Sequence, residues 1–422
     1  MTEQRKKELL MFFAVLAVVS TALGFSDGLF SNYFKEAYGV DGFQRGIIEF
    51  PRELPGVIVY ILISAIAWFG DITIAIIAQG LAAAGLVALG FFTPSFAVMM
   101  VFVFVNSMGT HLYMPLQDSI SITLAEPEKL GTRMGQFAGI RFAFLMLSGV
   151  VVYFLFHFKI FNFYSPQKWT FVVAAVFYAA ALLLLVQLRR KVGHVQRTRE
   201  KVKLLFRKEY KYYYLISIVY GVQKQVMLVF GPWVLIETLG QQTDTIVLLT
   251  TIASLLGIFF MPRLGKWLDR FGIKKMLYVD AISFIAVYLC YGVMTQFFSN
   301  GLLSKSGIPL ILICALFVID RLSSQMGIIR TLYLKSIAKN AADITPTISF
   351  AMMLDHIVSI AVGVTGGLLW VTIGSQYIFY TVAALSLVNL AVAIVVKEPA
   401  KAAYATMNTA DALDAADGAA DL

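Results

Sequence analysis

Apolar residues run along this chain in long unbroken blocks, with short polar stretches between them. The blocks cover residues 8–34, 44–68, 71–93, 95–123, 133–158, 168–188, 211–238, 243–263, 275–297, 308–335, 344–371 and 375–397. A helix needs about 20 residues to cross roughly 30 Å of hydrocarbon, and each block is close to that length. Inside lipid every backbone N–H and C=O must be paired within the protein, so only helices and closed barrels span it. The blocks are continuous and do not alternate with period two, which selects helices. The pattern therefore predicts an all-α integral membrane protein of about twelve transmembrane helices. Arg5, Lys6 and Lys7 ahead of the first apolar run imitate a secretory leader. That run continues through Phe25, Leu29, Phe30 and Phe34, long enough to span, and is read as the first helix.

Composition agrees. The chain of 422 residues is 59% hydrophobic and 14% charged, where a soluble domain carries about 25% charge. The net charge of +9 is concentrated between blocks of one parity, and only Lys35, Lys159, Lys168 and Lys305 fall in the opposite loops. By the positive-inside rule this excess predicts both termini in the cytoplasm of a multi-pass protein of the cell membrane. It argues for topology and against nucleic-acid binding. The densest basic stretch includes Arg189, Arg190, Lys191, Arg197, Arg199, Lys201, Lys203, Arg207 and Lys208. It divides the chain into a six-helix bundle over residues 1–188, a basic cytoplasmic linker over 189–210 and a second six-helix bundle over 211–398. Leu204, Leu205 and Phe206 among these cations predict an interfacial helix on anionic lipid. Residues 399–422, rich in Ala and Asp, have too little bulky apolar content to pack and are read as a disordered tail.

The two halves echo each other. Met108-Gly109 with Leu112-Tyr113 in the fourth block pairs with Met326-Gly327 and Leu332-Tyr333 in the tenth. Phe137-Ala138 and Gly149 in the fifth pair with Phe350-Ala351 and Gly363 in the eleventh. Such internal repeats are common in transporters. Cys290 and Cys314 lie inside blocks and are read as packing residues. No metal-ligand spacing, phosphate loop or nucleophile motif occurs, so no catalytic residue, resident metal or cofactor is expected, and the chain is not read as an enzyme.

Between the eighth and ninth blocks stands Gly265-Lys266-Trp267-Leu268-Asp269-Arg270-Phe271-Gly272-Ile273-Lys274-Lys275. Gly265 and Gly272 permit close approach and a tight turn. Asp269 can accept from a helix N-terminus or a basic side chain. This segment resembles the G-x-x-x-D-R-x-G-x-[KR]-[KR] loop of the major facilitator superfamily. Glu126-Pro127-Glu128-Lys129-Leu130-Gly131-Thr132-Arg133-Met134-Gly135 resembles that family's entry to helix five. The loop after the second block, Ala67-Trp68-Phe69-Gly70-Asp71, keeps a glycine but lacks the basic residues. The fifth block lacks the G-P-x-x-G-G stretch of proton-driven drug antiporters. The resemblance implies two pseudo-symmetric six-helix bundles and a gating loop at Gly265, Asp269, Arg270, Gly272 and Lys274. It also implies a central cavity lined by helices one, four, seven and ten, with two, five, eight and eleven beside them.

An ionisable group at mid-bilayer costs roughly 2.5–3.5 kcal/mol on insertion scales, so it marks a partner or a wet path. On the implied cavity helices stand Asp27, His111, Lys224, Gln225 and Asp320, with Arg141 and Asp355 beside them. These seven are the candidate solute-binding residues. Glu49 and Glu53 share a helical face with Arg52. With Asp27 and Asp355 they are the candidate proton-coupling carboxylates. The cations Arg141 and Lys224 suit an anionic group on a solute. The expected function is secondary active transport of a small polar solute, with an anionic one suited by these cations, by alternating access and coupled to protons or another ion. Efflux of lipophilic compounds and a transport-inactive membrane sensor are the alternatives. The expected partners are the solute, the coupling ion and membrane lipid, anionic at residues 189–210, with the protein acting as a monomer.

Overall fold

The computed structural model describes residues 3–92, 94–125, 130–192, 205–340 and 343–396. The 399–422 tail, most of the 189–210 linker and Glu126–Lys129 lie outside the described residues.

Spans one to six are α1 (Glu3–Gly24) with α2 (Phe30–Tyr38), α3 (Gly42–Ile47) with α4 (Glu49–Ala65), α5 (Asp71–Phe91), α6 (Phe96–Leu124), α7 (Leu130–His157) and α8 (Trp169–Val192). Spans seven to twelve are α9 (Lys211–Trp233), α10 (Thr243–Phe271), α11 (Ile273–Ser299), α12 (Ile308–Ser324) with α13 (Ile328–Ile337), α14 (Ile344–Thr372) and α15 (Gln376–Val395). Eleven of these spans among the described residues are long and apolar enough to cross a membrane on their own. The second falls short because Arg45, Glu49, Arg52 and Glu53 crowd its first turns and its longer piece has only 17 residues. Ile61, Val176, Leu183, Ile311 and Leu387 are exposed on outward faces, as a lipid-facing surface requires.

The pseudo-symmetry is visible in which helices pack. In the first half α5 packs on α6 and α8, α1 on α7 and α8, and α4 on α6. In the second half α11 packs on α12 and α15, α9 on α14 and α15, and α10 on α12. Each pair in one bundle thus has its counterpart six spans later. Between the bundles, α3 and α4 pack on α14 while α7 packs on α10, again a symmetric exchange of spans two and eleven for eight and five.

The contact of α3 with α14 is built from Gly42-x-x-x-Gly46 facing Gly363-x-x-x-Gly367. A Cβ on Gly367 would stand 2.9 Å from the Gly42 carbonyl oxygen, and one on Gly363 2.8 Å from that of Gly46. Small residues at four-residue spacing let backbones meet where lipid supplies no hydrophobic drive. This crossing lies on the face away from the termini. On that face Thr243 also donates to Glu36 at 3.1 Å, Lys35 stands 3.7 Å from Glu237 and His157 3.1 Å from Asp244.

Besides span two, which is interrupted at Ile48 between α3 and α4, three spans depart locally from the α-helix. Span one unwinds at Phe25–Ser26 into a 3-10 turn over Asp27–Leu29, and the Ser26 hydroxyl donates back to the Ala22 carbonyl at 2.8 Å. Span seven, carrying Pro232, ends in a π turn over Val234–Thr238. Span ten turns 3-10 at Gln325–Gly327. The described end of the linker, Leu205–Arg207, has no helix, and the backbone N–H of Leu205 donates to the Pro346 carbonyl at 3.3 Å.

Candidate functional site

The break in span one places Asp27 on an irregular stretch between the bundles, its side chain 67% exposed. It borders a cavity of about 300 Å³ that also takes Ser31, Arg45, Arg52, Thr250 and Arg321. The lining comes from spans one, two and five of the first bundle and seven, eight and ten of the second. Three guanidiniums and one carboxylate stand in this lining, and two of the guanidiniums, Arg45 and Arg52, also pair with Glu49 behind it. Spans two, five and eight therefore supply more of it than the resemblance implied. A second recess of about 400 Å³ opens on the face away from the termini, between Glu36, Lys159, Tyr164 and Asp244.

Behind the cavity wall sits a dry ionic knot. Glu49 is fully buried, and Arg45 is 1% exposed. Glu49 Oε1 accepts from Arg45 Nη1 at 2.5 Å and from Arg52 Nη1 at 2.9 Å. Its other oxygen accepts from Gln225 Nε2 of the second bundle at 2.7 Å. Arg45 also donates to Ser31 Oγ at 3.2 Å and lies over the Phe34 ring. Arg52 reaches on to Asp27 at 3.7 Å and lies over Phe30. A buried charge is tolerated where it is paired and hydrogen-bonded, as both Glu49 oxygens are, while Arg45 Nε and Gln225 Oε1 are left without a partner.

One helical turn further along α4, Glu53 meets His356 of α14, Oε2 to Nδ1 at 2.8 Å. The His356 ring stands 5.0 Å from the His111 ring, edge to face. His111 Nδ1 is 2.9 Å from the Ser107 carbonyl oxygen. A carbonyl only accepts, so this contact calls for a proton on Nδ1, and the Ser107 hydroxyl oxygen stands 3.0 Å from the same nitrogen. The donor atoms of Glu53, His111 and His356 lie within 4.8 Å of one another. Next to His356, Asp355 accepts from Lys224 of α9. Gly221, one turn before Lys224, makes room for this pair, since a Cβ there would stand 2.6 Å from Asp355 Oδ1.

Asp27, His111, Lys224, Gln225 and Asp355 thus join one polar band at mid-depth, together with Glu49 and Glu53. Two candidates lie elsewhere. Asp320 is fully buried inside the second bundle, where the Tyr288 hydroxyl sits 3.4 Å from it and 2.8 Å from the Gln223 carbonyl. Arg141, half-buried, pairs with the exposed Asp118 at 3.5 Å toward the face of the termini. In the gating-loop segment, Gly272 (φ +81°) alone separates α10 from α11. Lys274 Nζ donates to the Ile394 carbonyl at the end of α15, at 3.1 Å, a favourable place for a cation. Asp269 is exposed, and a Cβ on Gly265 would meet nothing within 4 Å. The close approach expected at Gly265 is therefore absent, because the bundles meet on the other face.

Three members of the band were outside the sequence candidates. Arg45 and Arg52 had a signal, since basic residues within the first turns of a span, interleaved with Glu49 and Glu53, need a partner. His356 had one too, standing beside Asp355. Arg321 gave none beyond its charge.

A family model described as Major Facilitator Superfamily matches residues 10–345, well over half of the chain. The chain belongs to the Major Facilitator Superfamily. It is accordingly a multi-pass transporter of small solutes and not an enzyme. No curated protein matches it by sequence. Solved structures with this superfamily fold superpose over nearly the whole chain. A variant of the nucleoside transporter NupG gives a TM-score of 0.74 at 14% identity, covering 92% of this chain and 100% of that one. A bacterial homologue of the iron transporter ferroportin, in an inward-facing state, gives 0.71 at 13%, covering 93% and 99%. A D-xylose–proton symporter gives 0.67 at 16%, covering 92% and 98%. At these identities the likeness establishes the fold alone, and cargo must be argued from this chain's own side chains.

Proposed function

We propose that this superfamily member is a secondary active transporter of a small polar, anionic solute across the cytoplasmic membrane, driven by protons through alternating access. The observation that carries the reading is the cavity at the break in span one. It lies between the bundles and is lined by Arg52 and Arg321, with Asp27 the one carboxylate among its lining residues; Glu49 behind the wall holds Arg52, so Arg321 is the guanidinium left for a solute. Guanidiniums bind carboxylate and phosphate groups through paired charged hydrogen bonds, which are about twice as strong as neutral ones. Ser31 and Thr250 add hydroxyls for the remainder of a polar solute. The bundles pack on the face away from the termini, which gives this state access from the termini's side. The distribution of Lys and Arg makes that side the cytoplasm. Glu53 is the coupling carboxylate, since its partner His356 belongs to the opposite bundle.

A thermal-shift screen of the purified protein over organic acids, sugar acids, phosphorylated sugars, neutral sugars and nucleosides tests the substrate class. Anions are expected to stabilise the protein, and Arg321→Gln is expected to abolish the shift. Reconstituted protein should then accumulate the hit under an imposed pH gradient. Glu53→Gln should lose accumulation but keep solute-for-solute exchange. Neutral solutes binding as well as anions, with Arg321→Gln indifferent, would reject the substrate class. Accumulation that persists in Glu53→Gln would reject the coupling role.

A further inference from the structure

We propose that Glu53, His111 and His356 form a binding site for one divalent first-row transition-metal ion of the Zn²⁺ class, held between the two bundles. The ligands come from α4, α6 and α14, far apart in sequence, which is why no spacing motif announces them. Two imidazoles and one carboxylate are the ligand set that such ions favour over Mg²⁺ or Ca²⁺. Zn²⁺ binds nitrogen and oxygen at about 2.0–2.2 Å, which places tetrahedral ligands roughly 3.4 Å apart. The three donor atoms already lie within 4.8 Å of one another, so small side-chain rotations close the remaining gap.

The surroundings are those of a ligand set. The Ser107 carbonyl and hydroxyl, 2.9 and 3.0 Å from His111 Nδ1, hold the ring's orientation, and in the neutral ring that contact leaves Nε2 for a metal. Gly56, on the same helix face as Glu53, leaves space that the His356 imidazole fills, and a Cβ there would overlap the ring. The neighbouring ammonium of Lys224 is paired with Asp355, and Glu53 supplies the cluster's own carboxylate. The plain alternative is a Glu53–His356 ion pair with His111 packed against it. That alternative leaves His111 Nε2 without a function at mid-membrane depth, and a metal would use it.

Binding is read here without transport, so its outcome is separate from that of the solute and coupling readings. The protein has four histidines. Tag-free full-length protein carrying His157→Gln and His194→Gln retains only His111 and His356. After chelator treatment it is titrated with Co²⁺, followed by visible d–d absorption, and with Zn²⁺ by calorimetry. One equivalent of each is expected, with a Co²⁺ spectrum of low-coordinate nitrogen and oxygen ligation. Glu53→Gln, His111→Gln and His356→Gln should each weaken binding at least tenfold while circular dichroism and gel filtration stay unchanged. If His356→Gln misfolds, His111→Gln decides the matter, because His111 is not paired with Glu53. Absence of saturable one-equivalent binding, or binding indifferent to His111→Gln, would overturn the proposal.

Discussion

Alanine at Gly46 and Gly363 tests whether the bundles exchange one closed face for the other. A Cβ on Gly46 falls well inside the Gly363 carbonyl oxygen and stands 3.0 Å from Gly367 Cα. A Cβ on Gly363 stands 2.7 Å from Glu49 Cβ and 2.8 Å from the Gly46 carbonyl oxygen. Optimal carbon contacts are about 3.5–4.0 Å, so the helices must part by roughly 1 Å. Most of the obstacles are backbone atoms, and no rotamer change relieves them. Overpacking of this kind costs about 1–3 kcal/mol. At about 1.4 kcal/mol per factor of ten, the population closed on this face falls roughly 5- to 150-fold. The check is a spin-label pair at Lys191 and Asn340, both exposed on the face of the termini, with Cys290 and Cys314 replaced by Ser. In Gly46→Ala/Gly363→Ala the label distances should shift to shorter values as that face closes. An unchanged or longer distribution in a folded protein would refute the reciprocal movement.

Three stability effects follow from the charges and the turn, each measured as thermal unfolding in detergent. Arg45→Met removes one of two cations from a fully buried carboxylate, and a loss of about 3 kcal/mol or more is expected. Arg45→Met/Glu49→Met should lose less than Arg45→Met alone. Lys224→Gln should cost roughly 1–3 kcal/mol by leaving Asp355 without its donor, and Lys224→Gln/Asp355→Asn should recover most of it. Gly272→Ala puts a side chain at φ +81°, which should cost about 1–2 kcal/mol.

The helix count was legible because span length is a property of contiguous residues. The division of labour among the charges was not. Glu49 and Glu53, four residues apart, read as a repelling pair on one helix face. In the folded chain they have separate partners: Glu49 meets Arg45 and Arg52, and Glu53 meets the imidazole of His356, 303 residues away. Nothing local announces such a contact. Asp320 shows the converse. Its place in span ten pointed to the cavity, yet helix rotation turns it toward Tyr288 inside the second bundle. A helix's identity is written in composition, whereas its rotation is decided by packing neighbours from elsewhere in the chain. Span two carries the weakest span signal, since its ion-paired first turns lower the hydropathy that marks a span.

On the alternating-access reading, the mid-depth ions differ in what separation of the bundles would do to them. Arg45, Glu49 and Arg52 all belong to α3 and α4, so they travel together. Glu49 loses only the Gln225 amide, a change of about 1 kcal/mol. Lys224 and Asp355 both belong to the second bundle and keep each other. Neither carboxylate has reason to change its charge during the cycle. Glu53 differs, because the group it meets, His356, sits on the opposite side of the moving interface. Parting the bundles takes that imidazole away and leaves a buried carboxylate facing a cost of several kcal/mol as an anion. A proton removes that cost, and so does a solvated path to Glu53. The first makes movement depend on protons, and the second predicts movement without them. Glu53→Gln, uncharged at every pH, therefore separates a coupling group from a structural one more sharply than substitution of Glu49 or Asp355.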